Sequence, residues 1–403
     1  ARVADVGGEP GLAGHVASVR AQVALRGQLR ERGLVAFVAD GSVLPRQSGV
    51  DPRPLPDAVR FESPDSMRVT LDTPDGPVAG MGIPTGITLI VGGGFHGKST
   101  VLQALQAGAV DHVPGDGRER VVADVDTVKV RAEDGRRVAG VDVSAFLRDL
   151  PGGTTTRPLW TDDASGSTSQ AAAIVEAIEA GARVLLLDED TSATNLMVRD
   201  ARMAALVPAD REPITPLVQR LRQLHAERGV STVLVVGGVG DYLSVADQVV
   251  RMDAWRAQDA TERARAVAGP PPSAPGPLPT PLARIPDGAS LRPTGKGRVR
   301  ARDHRRVELG REEIDLGGVE QVRDGPHAAS LGHALRLLSE GLADGRRRVP
   351  AVLDAVDAVL DAEGPDALSP YEAPPGTLVR PRRHEVAAAM NRLRALRVRT
   401  EEP

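Results

Sequence analysis

The sequence predicts an α/β fold built on a mainly parallel sheet, and two features of the chain support this prediction. Short apolar runs of strand length occur at residues 87–91, 184–187 and 232–236. Stretches with apolar residues at helical spacing stand between these runs. Strands that alternate with helices are typical of a parallel sheet whose faces the helices cover.

The composition is that of an ordinary globular protein and excludes several kinds of site. Of the 403 residues, 41% are apolar and 26% are charged, close to the average of globular domains. The chain has no cysteine, which excludes disulfides, iron–sulfur clusters, thiolate zinc sites and cysteine nucleophiles. The net charge of −4 excludes a uniformly basic protein but allows a local basic patch.

The sequence predicts a soluble, cytoplasmic protein without contact to a membrane. It contains no continuous apolar run of about 18 residues, the length that a transmembrane helix requires. Residues 1–10 lack the charged and then apolar layout of a signal peptide. Because the chain begins with Ala1 rather than methionine, we expect its natural start to lie further upstream.

Composition divides the chain into four segments. A run rich in proline and glycine begins near Gly269, and such a run can neither continue a helix nor pair within a sheet. We predict a partial N-terminal α+β domain at 1–58, an α/β core at 59–268, a proline-rich linker at 269–290 and a basic, mainly helical region at 291–403. At about 100–200 residues per domain, the length agrees with two or three domains.

The segments outside the core have recognisable local patterns. Residues 11–33 carry apolar side chains at helical spacing and end at a glycine, which predicts a helix, and a strand is predicted at 34–38. After the linker, helical spacing recurs at 327–342, 349–362 and 384–396. These patterns predict additions of mixed structure before the core and helices after it.

One glycine-rich segment carries a phosphate-binding motif. The residues that meet the pattern G-x-x-x-x-G-K-[ST], with the threonine that follows, are Gly92, Gly93, Gly94, Phe95, His96, Gly97, Lys98, Ser99 and Thr100. In such a loop the backbone N–H groups surround phosphate oxygens, the lysine reaches the β and γ phosphates, and the serine hydroxyl binds Mg²⁺. The strand before the motif and the helix after it are the context that a P-loop requires. His96, at a variable position, is expected to point away from the phosphates.

Two carboxylates end the apolar strand at 184–187. In open α/β sheets the ligand binds beyond the carboxyl ends of the strands, so Asp188 is expected beside the phosphate loop, where Mg²⁺ is held. Glu189 can polarise the attacking water as a general base. We therefore predict that Glu189 and Lys98 act in catalysis and that Ser99 and Asp188 bind the metal.

A serine-rich segment makes a family resemblance specific. Ala164-Ser165-Gly166-Ser167-Thr168-Ser169-Gln170 opens a predicted helix before the acidic strand and resembles the signature helix of ABC-class ATPases. Residues 190–195 resemble the D-loop that follows the catalytic glutamate in that class. The chain is most similar to a family of predicted ATPases of the ABC class, well over residues 34–255 and weakly over the C-terminal third. Further matching stretches are 92–103, 114–118, 128–136, 212–216 and 237–241.

The resemblance implies an ABC-type nucleotide-binding core with ATP and Mg²⁺ as ligands. In this class two copies pack head to tail, so that the signature segment of one copy contacts ATP on the P-loop of the other. The residues expected to make that contact here are Ser165, Gly166, Ser167 and Gln170. A chain with one such core is expected to form a homodimer that ATP closes and hydrolysis opens.

Three elements of the ABC pattern are replaced or uncertain. Gly237 and Gly238 stand where the switch histidine is expected, which leaves the sensing of the γ-phosphate to another group such as Asp241. Residues 133–135 are the candidate for the Q-loop. Phe61 is the candidate for stacking on adenine.

A basic segment after the linker suggests a double-stranded nucleic acid as a partner. Its basic residues are Arg292, Lys296, Arg298, Arg300, Arg302, Arg305, Arg306 and Arg311, and two further arginine clusters lie at 346–348 and 380–383. Without interleaved aromatic residues, contact with the backbone of a duplex is favoured over base stacking. The alternative is a solvated, arginine-rich face without a ligand.

The sequence leaves other functions open. A nucleotide-binding regulator that does not hydrolyse ATP would agree with the missing switch histidine. A P-loop kinase for a small molecule would share the phosphate loop but lack the segment 164–170. A nucleotide-binding subunit of a transporter is disfavoured by the additions at both ends.

Overall fold

The structure is a computed structural model that describes residues 11–49, 51–148, 150, 153–199, 206, 212–273, 275–295, 297–371 and 374–403. By their contacts the residues form two compact units, each assembled from separate stretches of the chain. The first is drawn from Ala1–Thr127, Arg183–Glu189 and Leu224–Pro272, and the second from Val128–Ala182, Asp190–Gln223 and Ser273–Pro403. The serial division at 58, 268 and 290 stays a prediction.

The described ranges contain both helices and strands throughout. The α-helices are α1 (Leu12–Gln28), α2 (Lys98–Ala107), α3 (Gly166–Glu179), α4 (Thr194–Met197), α5 (Leu221–Arg228), α6 (Thr261–Val267), α7 (Gly325–Leu337), α8 (Val349–Glu363) and α9 (Arg383–Arg392). The strands are β1 (Leu34–Ala39), β2 (Arg68–Thr73), β3 (Gly76–Pro84), β4 (Ile87–Val91), β5 (Val121–Ala123), β6 (Thr127–Lys129), β7 (Arg136–Val141), β8 (Leu159–Ala164), β9 (Val184–Asp188), β10 (Ser231–Val236), β11 (Gln248–Asp253), β12 (Arg256–Asp259), β13 (Ala283–Pro286), β14 (Val299–Ala301), β15 (Arg306–Leu309), β16 (Glu312–Asp315) and β17 (Val398–Glu401). None of the helices in these ranges is long and apolar enough to cross a membrane.

The first unit holds the predicted parallel sheet. Its strands follow one another in the order β12-β11-β4-β10-β9, with β11, β4, β10 and β9 parallel and β12 antiparallel to β11. The three apolar runs of the sequence form β4, β9 and β10, which are almost wholly buried. Strands covered on both faces need such continuous apolar runs. The α/β class predicted from the sequence is confirmed.

A second sheet in the first unit forms the N-terminal α+β segment. Its strand order is β2-β3-β1-β5, and the neighbouring pairs that involve β1 are antiparallel. Leu25 of α1 and Leu29, which caps this helix, belong to a core that contains Phe37 and Leu71. The helix and strand predicted at 11–38 are therefore confirmed as α1 and β1.

The second unit combines the antiparallel pair β7–β8 with α3 and the C-terminal region. The helices predicted at 327–342, 349–362 and 384–396 are confirmed as α7 with the π-helical turn Leu338–Leu342, α8 and α9. Their apolar faces share one core, which includes Leu331, Leu335, Val352 and Met390. In the short antiparallel sheet β14-β15-β16, the strands β14 and β15 lie within the basic segment 292–311 and β16 directly follows it.

A buried arginine connects four elements of the second unit. Arg284, on β13, has a side chain only 2% exposed. It donates hydrogen bonds to Glu179 of α3 at 2.9 Å, to the carbonyl of Ala139 at 3.2 Å and to Asn391 of α9 at 3.0 Å. Burial alone would lower the pKa of Arg284, but the charges of Glu179 and Glu176 raise it above its ordinary value. Arg284 is thus a charged link between α3, β7, α9 and β13.

Replacing Arg284 with methionine is expected to lower the free energy of unfolding by about 3 kcal/mol or more, because the carboxylate of Glu179 would lose its buried partner and that of Glu176 would keep only Arg136. Urea unfolding can be followed by the fluorescence of Trp160, on β8 of the same unit, in a Trp255→Phe background. Arg399→Met, at a side chain 61% exposed on β17, should cost less than about 0.5 kcal/mol. Equal effects of the two substitutions would contradict the prediction.

Candidate functional site

The register of the parallel strands brings the ends of β4, β10 and β9 to one edge of the sheet. Val91, the last residue of β4, lies opposite Val236 of β10. Asp188, the last residue of β9, lies opposite Val235 on the other side of β10. The loops that follow the three strands therefore start side by side. Ligands of parallel sheets bind at such an edge.

The glycine-rich loop connects β4 with α2, and two of its glycines are required by their surroundings. Gly92 has a φ of +144°, and a Cβ there would lie 2.3 Å from the carbonyl oxygen of Met252. Gly97 caps α2 with a φ of +96°. Gly94 has open space around it. Because only glycine readily adopts these conformations and allows such close approach, the loop can present its backbone.

The charged and hydroxyl groups of the motif lie where α2 begins. Lys98 donates a hydrogen bond from Nζ to the carbonyl of Gly93 at 2.8 Å, which holds the ammonium over the loop backbone. Ser99 and Thr100 follow in the first helical turn and are half-buried. N–H groups at a helix start, an ammonium and hydroxyls together favour a phosphate.

Ser99 and Asp188 provide oxygen donors of the kind that Mg²⁺ prefers. Asp188 is 5% exposed at the end of β9. Mg²⁺ is usually bound by one or two protein oxygens together with water and substrate phosphates. Within the described ranges, no group of three or more His, Asp or Glu side chains is arranged to hold a metal ion by itself. The donor set therefore fits a metal that arrives with a nucleotide.

The side chain of Glu189 is fixed by the backbone of the loop after β10. Its Oε2 accepts hydrogen bonds from the N–H groups of Gly237 at 2.6 Å and Gly238 at 3.1 Å. These are the two glycines that replace the expected switch histidine. Two backbone N–H groups therefore orient the carboxylate. Unlike a histidine side chain, these groups do not change their charge with pH.

Asp241, which the sequence offered as a substitute sensor, lies exposed on the 3-10 helix Gly240–Ser244. The next residue, Tyr242, is 1% exposed. Burial, with the charges of Glu189 and Asp241, raises the pKa of Tyr242 well above its ordinary value. The phenol therefore remains neutral near Glu189 at physiological pH. The role of Asp241 stays a prediction.

A turn that the sequence did not associate with the site packs against the P-loop. It joins β11 to β12 through Ala254 and Trp255. The N–H of Trp255 donates to the carbonyl of His96 at 3.1 Å, and the N–H of Ala254 donates to His96 Nδ1 at 3.0 Å. Asp253 Oδ1 lies 3.1 Å from the same ring nitrogen. The imidazole of His96 thus contacts this turn.

The serine-rich segment opens α3. Ser165 precedes the helix in an extended conformation and is exposed, and Gly166 is the first helical residue. The hydroxyl of Ser165 lies 3.0 Å from that of Thr168 and 3.4 Å from that of Ser167. The start of α3 therefore combines helical N–H groups with hydroxyls, which favours an anion.

Gln170 has surroundings that differ from those expected of a nucleotide contact. Its side chain is fully buried, with 0% exposed. Nε2 donates to the hydroxyl of Ser192 at 2.9 Å, and Oε1 accepts from the N–H of Ala193 at 2.8 Å. Both partners belong to the stretch 190–195 that resembles a D-loop. Gln170 therefore ties the first turns of α3 to that stretch and does not present its amide to a ligand.

The candidate Q-loop at 133–135 is held inside the second unit. The carboxylate of Glu133 forms an ion pair with Arg392 of α9, and its N–H donates to the hydroxyl of Ser169 at 2.9 Å. Burial alone would raise the pKa of Glu133, but Arg392 and Arg136 hold it below its ordinary value. This segment thus links α3, which begins with the signature residues, to a C-terminal helix.

Phe61 is wrong as the candidate for stacking on adenine. It is only 3% exposed and belongs to the core that includes Met67 and Ile83. A ring buried to this extent has no exposed face on which a base could stack. In a single sequence, an aromatic residue of the core and one of a binding site look alike.

The basic segment forms an exposed edge of the sheet β14-β15-β16. Arg300 on β14 lies opposite Glu308, and the latter forms an ion pair with Arg302. The exposed arginines for which the described residues provide no carboxylate within 4.0 Å are Arg292, Arg298, Arg300, Arg305 and Arg311. Lys296 lies outside the described residues. An uncompensated positive edge therefore remains.

The arginine cluster at 380–383 is largely neutralised. Arg380 forms an ion pair with Asp361 at 2.6 Å, and Arg383 with Asp354 at 2.8 Å, both on α8. Arg382 is paired with Glu385 of its own helix turn. These arginines hold helices together and are less suited than β14 to contact phosphates.

The amino-acid sequence matches two family models. The ABC_ATPase model, described as a P-loop domain, matches residues 9–276, and the model of the MRB1590 C-terminal domain matches residues 298–399. A curated relative, Uncharacterized protein MJ1628 from Methanocaldococcus jannaschii, is 30% identical over 245 residues, 58% of this chain and 53% of the relative. The chain thus spans about half the length of that relative.

Two solved structures match part of this chain at low identity. One is cbiO1 from Clostridium perfringens, part of the ABC transporter complex cbiONQ, with 16% identity, 58% of this chain and 92% of that chain covered, and a TM-score of 0.34. The other is a bacterial Atm1-family ABC exporter with ATP bound, with 15% identity, coverage of 56% and 38%, and a TM-score of 0.30. Because the match to the ABC_ATPase model extends over more than half of the chain, this protein belongs to the ABC ATPase family of P-loop proteins.

Proposed function

We propose that this protein binds Mg·ATP and hydrolyses it with Glu189 as the general base. The observation that carries the proposal is the fixed carboxylate of Glu189. It is held by two backbone N–H groups at the edge of the sheet where the P-loop also begins. Both donors bind Oε2, so Oε1 is the oxygen that would accept a proton from the attacking water.

Each group at the site has a defined task in this reaction. The loop N–H groups and Lys98 bind the phosphates, and Ser99 and Asp188 hold the metal. When bound, Mg²⁺ neutralises negative charge on the transferring phosphate. Glu189 accepts a proton from the attacking water, and Lys98 stabilises the charge that develops on the γ-phosphate.

The proposal includes a homodimer in which each ATP is shared. The start of α3, where Ser165 is exposed, Gly166 is half-buried and Ser167 is 8% exposed, offers N–H groups and the Ser165 hydroxyl to a γ-phosphate held by a second copy. Closing two copies on ATP compensates the phosphate charge from both sides. Hydrolysis and loss of phosphate remove that attraction, so ATP turnover would open the dimer.

A second candidate function is contact with a double-stranded nucleic acid. The observation that favours it is the exposed edge formed by Arg298 and Arg300 with their neighbours. Such an edge can contact a phosphate backbone. The strand at the opposite edge of this sheet, β16, carries Glu312, Glu313 and Asp315, which confines the positive surface to β14 and its turns.

The experiment described below also distinguishes two alternative functions. A regulator that binds ATP without hydrolysis is favoured by the missing switch histidine. A small-molecule kinase is disfavoured by the signature-like start of α3, which a kinase does not need.

Turnover of Mg·ATP by the purified protein is expected to fall about hundredfold or more in Lys98→Ala, because a charged stabiliser of the transferring phosphate is lost. Phosphate release should be measured with and without duplex RNA or DNA at low salt. If the nucleic-acid proposal is right, a duplex stimulates the wild type but not Arg298→Glu/Arg300→Glu.

Equal turnover of wild type and Lys98→Ala would contradict the proposed hydrolysis at this site. Tight ATP binding by the wild type without turnover would establish the regulator instead. Phosphate transfer to a small molecule, with little release into water, would establish the kinase.

Replacing Gly92 with alanine is expected to weaken Mg·ATP binding about tenfold or more. The Cβ would meet the carbonyl of Met252, and the φ of +144° is one that alanine rarely adopts, so the loop must shift. Isothermal titration calorimetry measures the affinity. The control is Gly27→Ala on α1, where the Cβ meets nothing within 4 Å and binding should not change. Wild-type affinity in Gly92→Ala would refute this account of the loop.

A further inference from the structure

We propose that Trp255 is the platform on which the base of the bound nucleotide stacks. This inference rests on the proposed function, since it requires a nucleotide at the P-loop. It assigns base recognition to the turn between β11 and β12, in place of the buried Phe61. The ligand class that it predicts is a nucleoside triphosphate.

The position of Trp255 next to the phosphate loop is the first support. A Cβ placed on Gly97 would lie 2.8 Å from Cδ1 of the Trp255 indole. The ring therefore packs directly on the residue that caps α2. Because phosphates are expected at this helix start, the ring lies within reach of the nucleoside attached to them.

The exposure of Trp255 is the second support. The chain has only 2 Trp, 2 Tyr and 4 Phe among its 403 residues, so aromatic rings are scarce. The indole nevertheless remains 44% exposed beside the loop. A large aromatic surface left to solvent at a ligand site is available to stack on a base.

The turn is anchored at both sides, which holds the ring in place before a ligand binds. The backbone of Trp255 is hydrogen-bonded to His96 in the P-loop. Arg256 forms an ion pair with Glu62 at 3.2 Å, and Asp259 at the end of β12 accepts a hydrogen bond from Ser66 at 2.7 Å. A platform fixed in this way loses little conformational freedom on binding.

The backbone of the turn is strained at Ala254 and Trp255. Ala254 has a φ of +45° and Trp255 a φ of +63°. Two-residue hairpin turns of this shape favour Asn-Gly or Gly-Gly, because residues with a Cβ rarely adopt positive φ. A tryptophan here is unfavourable for the turn itself. Strain of this kind is typical of functional positions, which agrees with a role for the indole.

Phe95, in the P-loop, is a second exposed aromatic residue near the site and is the weaker candidate for stacking on the base. It is 97% exposed, so it has hardly any contact with the described chain that would fix its ring. Phe95 also has a positive φ, of +62°, so backbone strain does not distinguish the two residues. Trp255 is packed and anchored, and we therefore assign the stacking role to it.

The first test uses the two tryptophans as matched reporters. Trp160 is 43% exposed on β8, nearly the same as the 44% of Trp255. Trp160→Phe leaves Trp255 as the reporter, and Mg·ATP should quench its emission, whereas Mg·tripolyphosphate should have much less effect. Trp255→Phe leaves Trp160, whose emission should respond to Mg·ATP much less than that of Trp255.

The second test separates the base from the phosphates. Trp255→Gly removes the indole and also relieves the positive φ, so the turn is expected to remain folded. Its affinity for Mg·ATP should fall about tenfold, the lower part of the range for loss of one stacked base. Its affinity for Mg·tripolyphosphate should stay at the wild-type value. Trp255→Phe should retain most of the ATP affinity, and GTP should follow ATP, because stacking tolerates different bases.

The outcomes distinguish this inference from the proposed function. If the wild type binds neither ATP nor tripolyphosphate, the proposed function is wrong. If the wild type binds both, and Trp255→Gly weakens both equally or neither, the assignment of Trp255 is overturned. A selective loss of ATP affinity, with quenching of Trp255 by ATP, supports it.

Discussion

The candidate site depends on the in-register parallel pairing of β4, β10 and β9. This pairing places three strand ends side by side, and each end continues into a different part of the site. The P-loop follows β4, the loop with Gly237 and Gly238 follows β10, and Glu189 follows β9. Because the strands are apolar and buried on both faces, a shift in register would be costly. Backbone groups then complete the site, since Gly92 allows the close approach of Met252 and two amides orient Glu189.

In the first unit, strand register positions the residues of the site. In the second unit, ion pairs position the signature helix. Helix α3 starts with the signature residues and is held from its buried side by charged groups of other elements. Arg284 binds Glu179 of this helix, and Arg136 of β7 pairs with Glu176. Ser169 is bonded to the segment of Glu133, which is in turn paired with Arg392 of α9. The orientation of the signature helix is therefore linked to the C-terminal region.

The phosphate loop, the acidic strand end and the signature segment could be predicted because each is a continuous run with local rules of its own. The turn at Ala254 and Trp255 could not, because the contact between Ala254 and His96 joins residues 158 positions apart and the turn lacks the usual glycine. The prediction that Phe61 stacks on adenine was wrong because the burial of a residue depends on tertiary packing. Strands such as β14 and β15 were missed because they are short and their exposed faces are charged.

The most direct test of the account is the molar mass of Glu189→Gln with and without Mg·ATP, measured by light scattering during size exclusion. In the proposed dimer, the start of α3 of one copy caps the ATP at the P-loop of the other, and hydrolysis through Glu189 ends this state. A variant that retains ATP should therefore double in mass with Mg·ATP, whereas the double variant with Lys98→Ala should not change. A mass of one chain at saturating Mg·ATP, with binding shown by calorimetry, would contradict the shared site.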